Sequence, residues 1–166
     1  MVIVVMGEVE SGGESLGRLL AESLGWEFAD VENLACVAQA QSPLTDVDRI
    51  PQIATLSAVI DASAREWRDL IVSGPTLTDK DRRQLRRKYP LVKFVYLRAP
   101  DETHHSLCSD QPADFTKFGI PVRRWAALEN DDSVLSLDCS QGVEQILGAV
   151  LSALILKPTS SSVRVA

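Results

Sequence analysis

Gly7 and Gly12 stand at the spacing of G-x-x-x-x-G-K-[ST], the pattern in which glycine-rich backbone cradles phosphates. The stretch reads Gly7-Glu8-Val9-Glu10-Ser11-Gly12-Gly13-Glu14-Ser15. It follows the apolar run Met1 to Met6 (MVIVVM), whose valines and isoleucine suit a buried strand. It precedes Leu16 to Leu24, a helical pattern. Strand, glycine turn and helix N-terminus together make an anion site, because backbone N–H groups and the helix dipole point at the ligand. Two side chains of the pattern differ here. The lysine position, which reaches the β- and γ-phosphates, holds Gly13; the Ser/Thr position, which ligates magnesium, holds Glu14. Ser15 lies one position further on, and Arg18 a further turn into the helix.

The loop is also acidic. Glu8, Glu10 and Glu14 would face a ligand that is itself an anion. Like charges about 4 Å apart repel by about 1 kcal/mol in water and about 4 kcal/mol at an effective dielectric of 20. A helix terminus returns only about 0.3–1 kcal/mol. The three glutamates also supply oxygen donors for a cationic ligand, although their spacing matches no calcium loop.

The elements that must position this loop alternate along the chain. Gly25 is placed to stop the first helix. Trp26 to Asp30 reads as a second strand ending on an acid. Thr45 or Asp46 can cap a helix running to about Trp67, with Ile50, Ile53, Leu56, Ile60 and Ala64 on one face. Asp69 to Ser73 is a third strand, broken by Gly74-Pro75. Thr78 can cap a basic helix, Asp79 to Lys88. Leu91 to Leu97 is a fourth strand and Ser133 to Leu137 a fifth. Short helices are expected over 101–108 and 121–128. Ser140 can cap a last helix, Val143 to Leu156, apolar enough to pack on a core yet too short to span a bilayer. Strands separated by helices predict an α/β fold: a five-stranded parallel sheet with helices on both faces. One domain over 1–156 is expected, with 157–166 a Ser-rich tail lacking periodicity and expected to be disordered.

Composition narrows the classes. The chain has 166 residues, 45% hydrophobic and 24% charged, and a net charge of −6. The acidic balance argues against nucleic acid and anionic membrane as partners. Cys36, Cys108 and Cys139 form no C-x-x-C, so a zinc site and a disulfide framework are unsupported, and reduced thiols suit a cytoplasmic protein. No metal site is expected from spacing. His104-His105, adjacent on a polar helix, do not share a face and make a poor metal pair. Trp26, Trp67 and Trp125 read as packing residues. The run Arg82-Arg83 with Arg86-Arg87-Lys88 reads as a solvated face or a patch for an anion or partner.

Five stretches resemble the gluconokinase branch of the P-loop small-molecule kinases, relatives of shikimate kinases. Val4-Val5-Met6-Gly7, Ser11-Gly12 and Leu16-Gly17 resemble that family's V-M-G-V-S-G-S-G-K-S-T-I-G. Trp26 to Asp30 resembles its second strand. Pro43-Leu44-Thr45-Asp46-Val47-Asp48-Arg49-Ile50-Pro51 resembles P-L-x-D-x-D-R-x-P-W, the most specific of the five. Lys93 to Leu97 resembles its fourth strand. Phe115-Thr116-Lys117 falls at its H-F-x-K lid, here about 107–119. The resemblance covers about residues 1–155. It implies a P-loop NTPase-type three-layer fold, ATP and Mg2+ as cofactors, and transfer of the ATP γ-phosphate to D-gluconate, giving 6-phosphogluconate. It also implies that Gly7, Ser11, Gly12, Gly13, Glu14 and Ser15 line the nucleotide loop and that Asp30 and Arg49 hold the sugar acid. Asp30 would be the base on the sugar hydroxyl and Arg49 the fork on its carboxylate. Read without the resemblance, Asp30 is equally a strand-end cap, and Asp46, Asp48 and Arg49 are a helix start.

The departures fall on chemistry. Beyond Gly13 and Glu14, the family's S-A-L-K turn is replaced by Pro75-Thr76-Leu77-Thr78, and the lid arginines fall near Leu107 and Gln111. Lys80 and Lys117 remain as candidate cations. Two functions are therefore expected to compete: a non-catalytic or strongly impaired relative with a binding role, and a working carbohydrate kinase with a rearranged loop. A homodimer stays open as the assembly state.

Overall fold

A computed structural model describes residues 1–7, 12–31, 34, 49–74, 76–98 and 133–154. Five strands, β1 (Val2–Gly7), β2 (Glu27–Asp30), β3 (Leu70–Gly74), β4 (Val92–Arg98) and β5 (Val134–Asp138), form one sheet. Its order is β2-β3-β1-β4-β5 and every pairing is parallel. Four described helices connect or follow them: α1 (Gly13–Leu24), α2 (Arg49–Arg65), α3 (Asp79–Lys88) and α4 (Val143–Ala153). Parallel pairing requires crossovers, and α1, α2 and α3 lie in those between β1 and β4.

The near-continuous apolar strands follow from burial on both faces. Val2, Val4 and Met6 of β1 point to one side and meet Val72, Phe94, Tyr96, and Leu56, Ile60 and Leu85 from α2 and α3. Ile3 and Val5 point to the other and meet Leu16, Leu20 and Leu24 of α1 and Ile146 and Val150 of α4. Two cores flank one sheet, the three-layer α/β architecture expected from the sequence. Each fully buried leucine contributes about 1.5–3 kcal/mol by leaving water.

Local signals set several boundaries. Gly25 closes α1 in the left-handed region at φ 69°, as its position in the sequence indicates. Thr78 caps α3, and Asp81 completes a capping box the sequence reading had not named. Other expectations need correction. Ser140 caps nothing: Gly142 precedes α4, and the Ser140 amide instead donates to Asp138 at 2.8 Å. The inward stripe of α2 runs Ile53, Leu56, Ile60, Ser63, whereas Ala64 is exposed. The 3.6-residue period carries the stripe to Ser63, whose hydroxyl is satisfied by donating to the Arg68 carbonyl at 2.8 Å. Trp67 is not a packing residue; it is 95% exposed, in a left-handed turn at φ 54° that follows α2. Trp26 does pack, against the α1 core. The short helices at 101–108 and 121–128, the 107–119 lid, Trp125, His104-His105 and the 157–166 tail lie outside the described residues.

Candidate phosphate-loop site

In a sheet of this order, the chain leaves β1 toward one edge for β2 and β3 and later toward the other for β4 and β5. The C-terminal end of β1 is therefore the switch point where such sheets bind ligands. Gly7 ends β1 there, in register with Leu97 of β4. The Thr76 hydroxyl reaches the Gly7 carbonyl at 3.4 Å, tying the turn after β3 to the mouth of the loop. Gly12 re-enters the described chain in the left-handed region at φ 79°, and its carbonyl accepts the Leu16 amide at 2.9 Å. Only glycine takes that backbone routinely. Gly13, Glu14 and Ser15 then form the first turn of α1, aimed at the same edge. Glu8, Glu10 and Ser11 lie outside the described residues.

Glu14 does not stand alone. Arg18, one turn later on the same face, donates from Nε at 3.0 Å and from Nη2 at 2.8 Å to Glu14 Oε1. Its guanidinium lies 4.8 Å from the centroid of the Phe28 ring on β2. Phe28 in turn packs on Gly17, where a Cβ would come within 2.6 Å of Phe28 Cε2. The absent side chain at 17 thus lets α1 press onto β2, and Arg18 covers the seam. Arg18 is engaged in this clamp.

Asp30 ends β2, half-buried, in register with Ser73 of β3. Strand alternation puts it on the same face as Phe28, the α1 side. Gly7, Gly12, Gly13, Glu14 and Asp30 therefore share one end of the sheet. Arg49 begins α2, and its backbone alone is described; Asp46, Asp48 and Lys117 lie outside the described residues. Lys80 sits exposed in the first turn of α3.

One pair at this edge escaped the sequence reading. Arg98 ends β4, one residue past the partner of Gly7, and meets Asp138 at the end of β5 at 3.3 Å. The Ser140 hydroxyl and amide, with Arg98 beside them, hold the Asp138 carboxyl below its ordinary value. Both strands run one residue further than their apolar patterns indicated, and the signal was there: a cation and an anion each directly following a strand. Among the described residues no cluster of three His, Cys, Asp or Glu could hold a metal, and no helix is long and apolar enough to cross a membrane.

No family model matches the chain. A probable gluconokinase of Mus musculus is 33% identical over 93 residues, which span 44% of this chain and half of that protein's length. A probable gluconokinase of Rattus norvegicus is 27% identical across 92% of this chain and 97% of its own. The crystal structure of a sugar kinase from Janibacter sp. HTCC2649 superposes with a TM-score of 0.67 at 30% identity, covering 93% of this chain and 94% of that one. The chain belongs to the gluconokinase-like P-loop kinases. In this gluconokinase-like protein the sheet, the glycine turn and the α1 start keep the kinase frame. Gly13 and Glu14 open the first turn of α1 within that frame.

Proposed function

We propose that this gluconokinase-like chain is catalytically inactive or strongly impaired in phosphate transfer and acts by binding, with a small sugar acid at Asp30 and Arg49 as the first ligand to consider. The Glu14–Arg18 clamp carries this reading. Phosphoryl transfer is almost entirely positioning and neutralisation of charge. At the N-terminus of α1 the residues present do not fit a magnesium–triphosphate group. Gly13 offers no cation. Glu14 offers a carboxylate where a hydroxyl would sit beside phosphate, and the nearest arginine on its own helix is spent on it. A single well-placed cation is worth about 10³–10⁵ in rate in such reactions.

The competing reading, an active ATP:gluconate phosphotransferase, is favoured by one observation: Asp30 and Gly7 lie at the same end of the sheet, the arrangement in which a base could meet a sugar hydroxyl near a phosphate loop. Calorimetry with Mg-ATP separates the two. Wild type should give no binding heat, and Gly13→Lys/Glu14→Ser should bind. Micromolar binding by wild type, followed by gluconate-dependent ADP release, would refute the inactive reading and establish the other.

A further inference from the structure

The ten residues of α3 carry six cations and two anions on a chain whose net charge is −6. Half of those cations have structural work. Arg82, 2% exposed, donates from Nη1 to the Leu77 carbonyl at 2.8 Å. Arg86 donates to the Ser133 carbonyl at 2.7 Å and covers the Phe94 ring at 5.3 Å. Lys88 pairs with Asp61 of α2 at 2.8 Å. The remainder, Lys80, Arg83 and Arg87, are exposed and follow one another at helical spacing along the outer face. They border, with Asp79, Gln84 and Lys88, an open depression of about 570 Å³.

Helix stability accounts for only part of this stripe. Cations in the last turn complement the helix dipole, which covers Arg87; a cation in the first turn opposes it, which leaves Lys80 unexplained. Arg83 pairs with Asp79 at 2.9 Å while staying 71% exposed. Among the described residues, Lys80 and Arg87 make no ion pair. Thr78, through the capping box, and buried Arg82 fix the helix, so the stripe is presented on a rigid support.

We propose that the outer face of α3 docks an acidic segment of a partner protein. The stripe runs about 10 Å, the rise of two helical turns. That exceeds the reach of one phosphate or carboxylate group. Side chains on one face of an extended peptide recur about every 6.6 Å and those on a helix face about every 5–6 Å, so two or three carboxylates of one segment can meet these cations together. Arginine and lysine both serve, the former through bidentate contacts. A nucleic acid or an anionic membrane would extend beyond one helix and meet a chain whose net charge is −6.

The test is fluorescence anisotropy with a labelled peptide of alternating Glu and Ser residues, alongside a single-stranded oligonucleotide and phosphatidylserine vesicles. Wild type should bind the peptide more tightly than either alternative, with affinity falling as salt rises. Lys80→Gln/Arg83→Gln/Arg87→Gln should weaken that binding by about tenfold or more while the far-UV spectrum stays unchanged. Lys80→Gln and Arg87→Gln, which break no ion pair among the described residues, should each weaken it by about two- to fivefold. Lys93→Gln, an exposed cation on β4, should leave it unchanged. The proposal is overturned by absent peptide binding at low salt, by equal binding of wild type and the triple variant, or by tighter binding to oligonucleotide or vesicle.

Discussion

Gly17→Ala tests whether close contact between α1 and β2 holds the phosphate-loop helix in place. The new Cβ would lie 2.6 Å from Phe28 Cε2, 3.4 Å from Cδ2 and 3.6 Å from Cζ. The ring must retreat by roughly 1 Å to restore ordinary contact, an overpacking cost of about 1–3 kcal/mol. Its retreat also disturbs the Arg18 stack, worth about 0.5–1 kcal/mol at an exposed site. Against this, alanine gains about 0.8–1 kcal/mol over glycine inside a helix. The net expectation is a loss of about 1–2 kcal/mol, or about 2–8 °C in melting temperature for a chain of this size. Thermal unfolding followed by circular dichroism reads the shift. Phe28→Leu should be destabilising alone and should relieve most of the Gly17→Ala penalty in the double variant, giving a clear coupling energy. A Gly17→Ala protein as stable as wild type, or strictly additive effects in the cycle, would refute the close-packing argument.

Thr78→Ala removes the hydroxyl that accepts the Asp81 amide at 3.2 Å and should cost about 1 kcal/mol, seen as a melting temperature lower by about 2–4 °C. Leu56→Ala, at a fully buried position of α2, should cost about 2–5 kcal/mol in urea unfolding. Asp61 accepts from Lys88 at 2.8 Å and from the Tyr89 hydroxyl at 2.6 Å, and these bonds hold its carboxyl below the ordinary 3.8. A depressed folded value means that its contribution is present above pH 3.8 and is lost as pH falls through the folded value. Wild type should therefore melt above Asp61→Asn at neutral pH, and the gap should narrow on acidification below pH 3.8; a gap that widens in acid would contradict the sign.

The sheet was legible because its strands are buried on both faces. MVIVVM, Leu70 to Val72 and Phe94 to Leu97 have no polar alternation to confuse them, and parallel strands separated by helices leave few topologies. The glycine turn was legible because Gly7 and Gly12 are punctuation with a fixed spacing, and Gly12 adopts the backbone that spacing requires. Long-range pairings were not legible. Nothing in the sequence near Glu14 says that Arg18 will be held over Phe28, because the seam depends on a glycine whose missing side chain matters only once β2 lies against α1. Ser63 was passed over as polar although its hydroxyl finds a carbonyl within the turn that follows α2. Trp67 shows the opposite error, since an aromatic residue carries no signal of which way a turn will face. Ser140 offered a plausible cap, and the acid at the end of β5 claimed its amide first.

The central place of β1 also governs how the chain must assemble. Its two neighbours begin at Leu70 and Val92, so neither exists when β1 is made. At roughly 5–20 residues per second of synthesis, the interval before β4 is complete is about 5–20 s. Until β3 is made, this apolar strand has both edges unpaired with α1, β2 and α2 for cover, and β2 is not its neighbour in the sheet; from then until β4 is made, one edge stays open. Nascent chains of this topology present a sticky edge early and bury it late, which makes recovery of soluble protein sensitive to expression rate and to chaperones that hold unpaired strands.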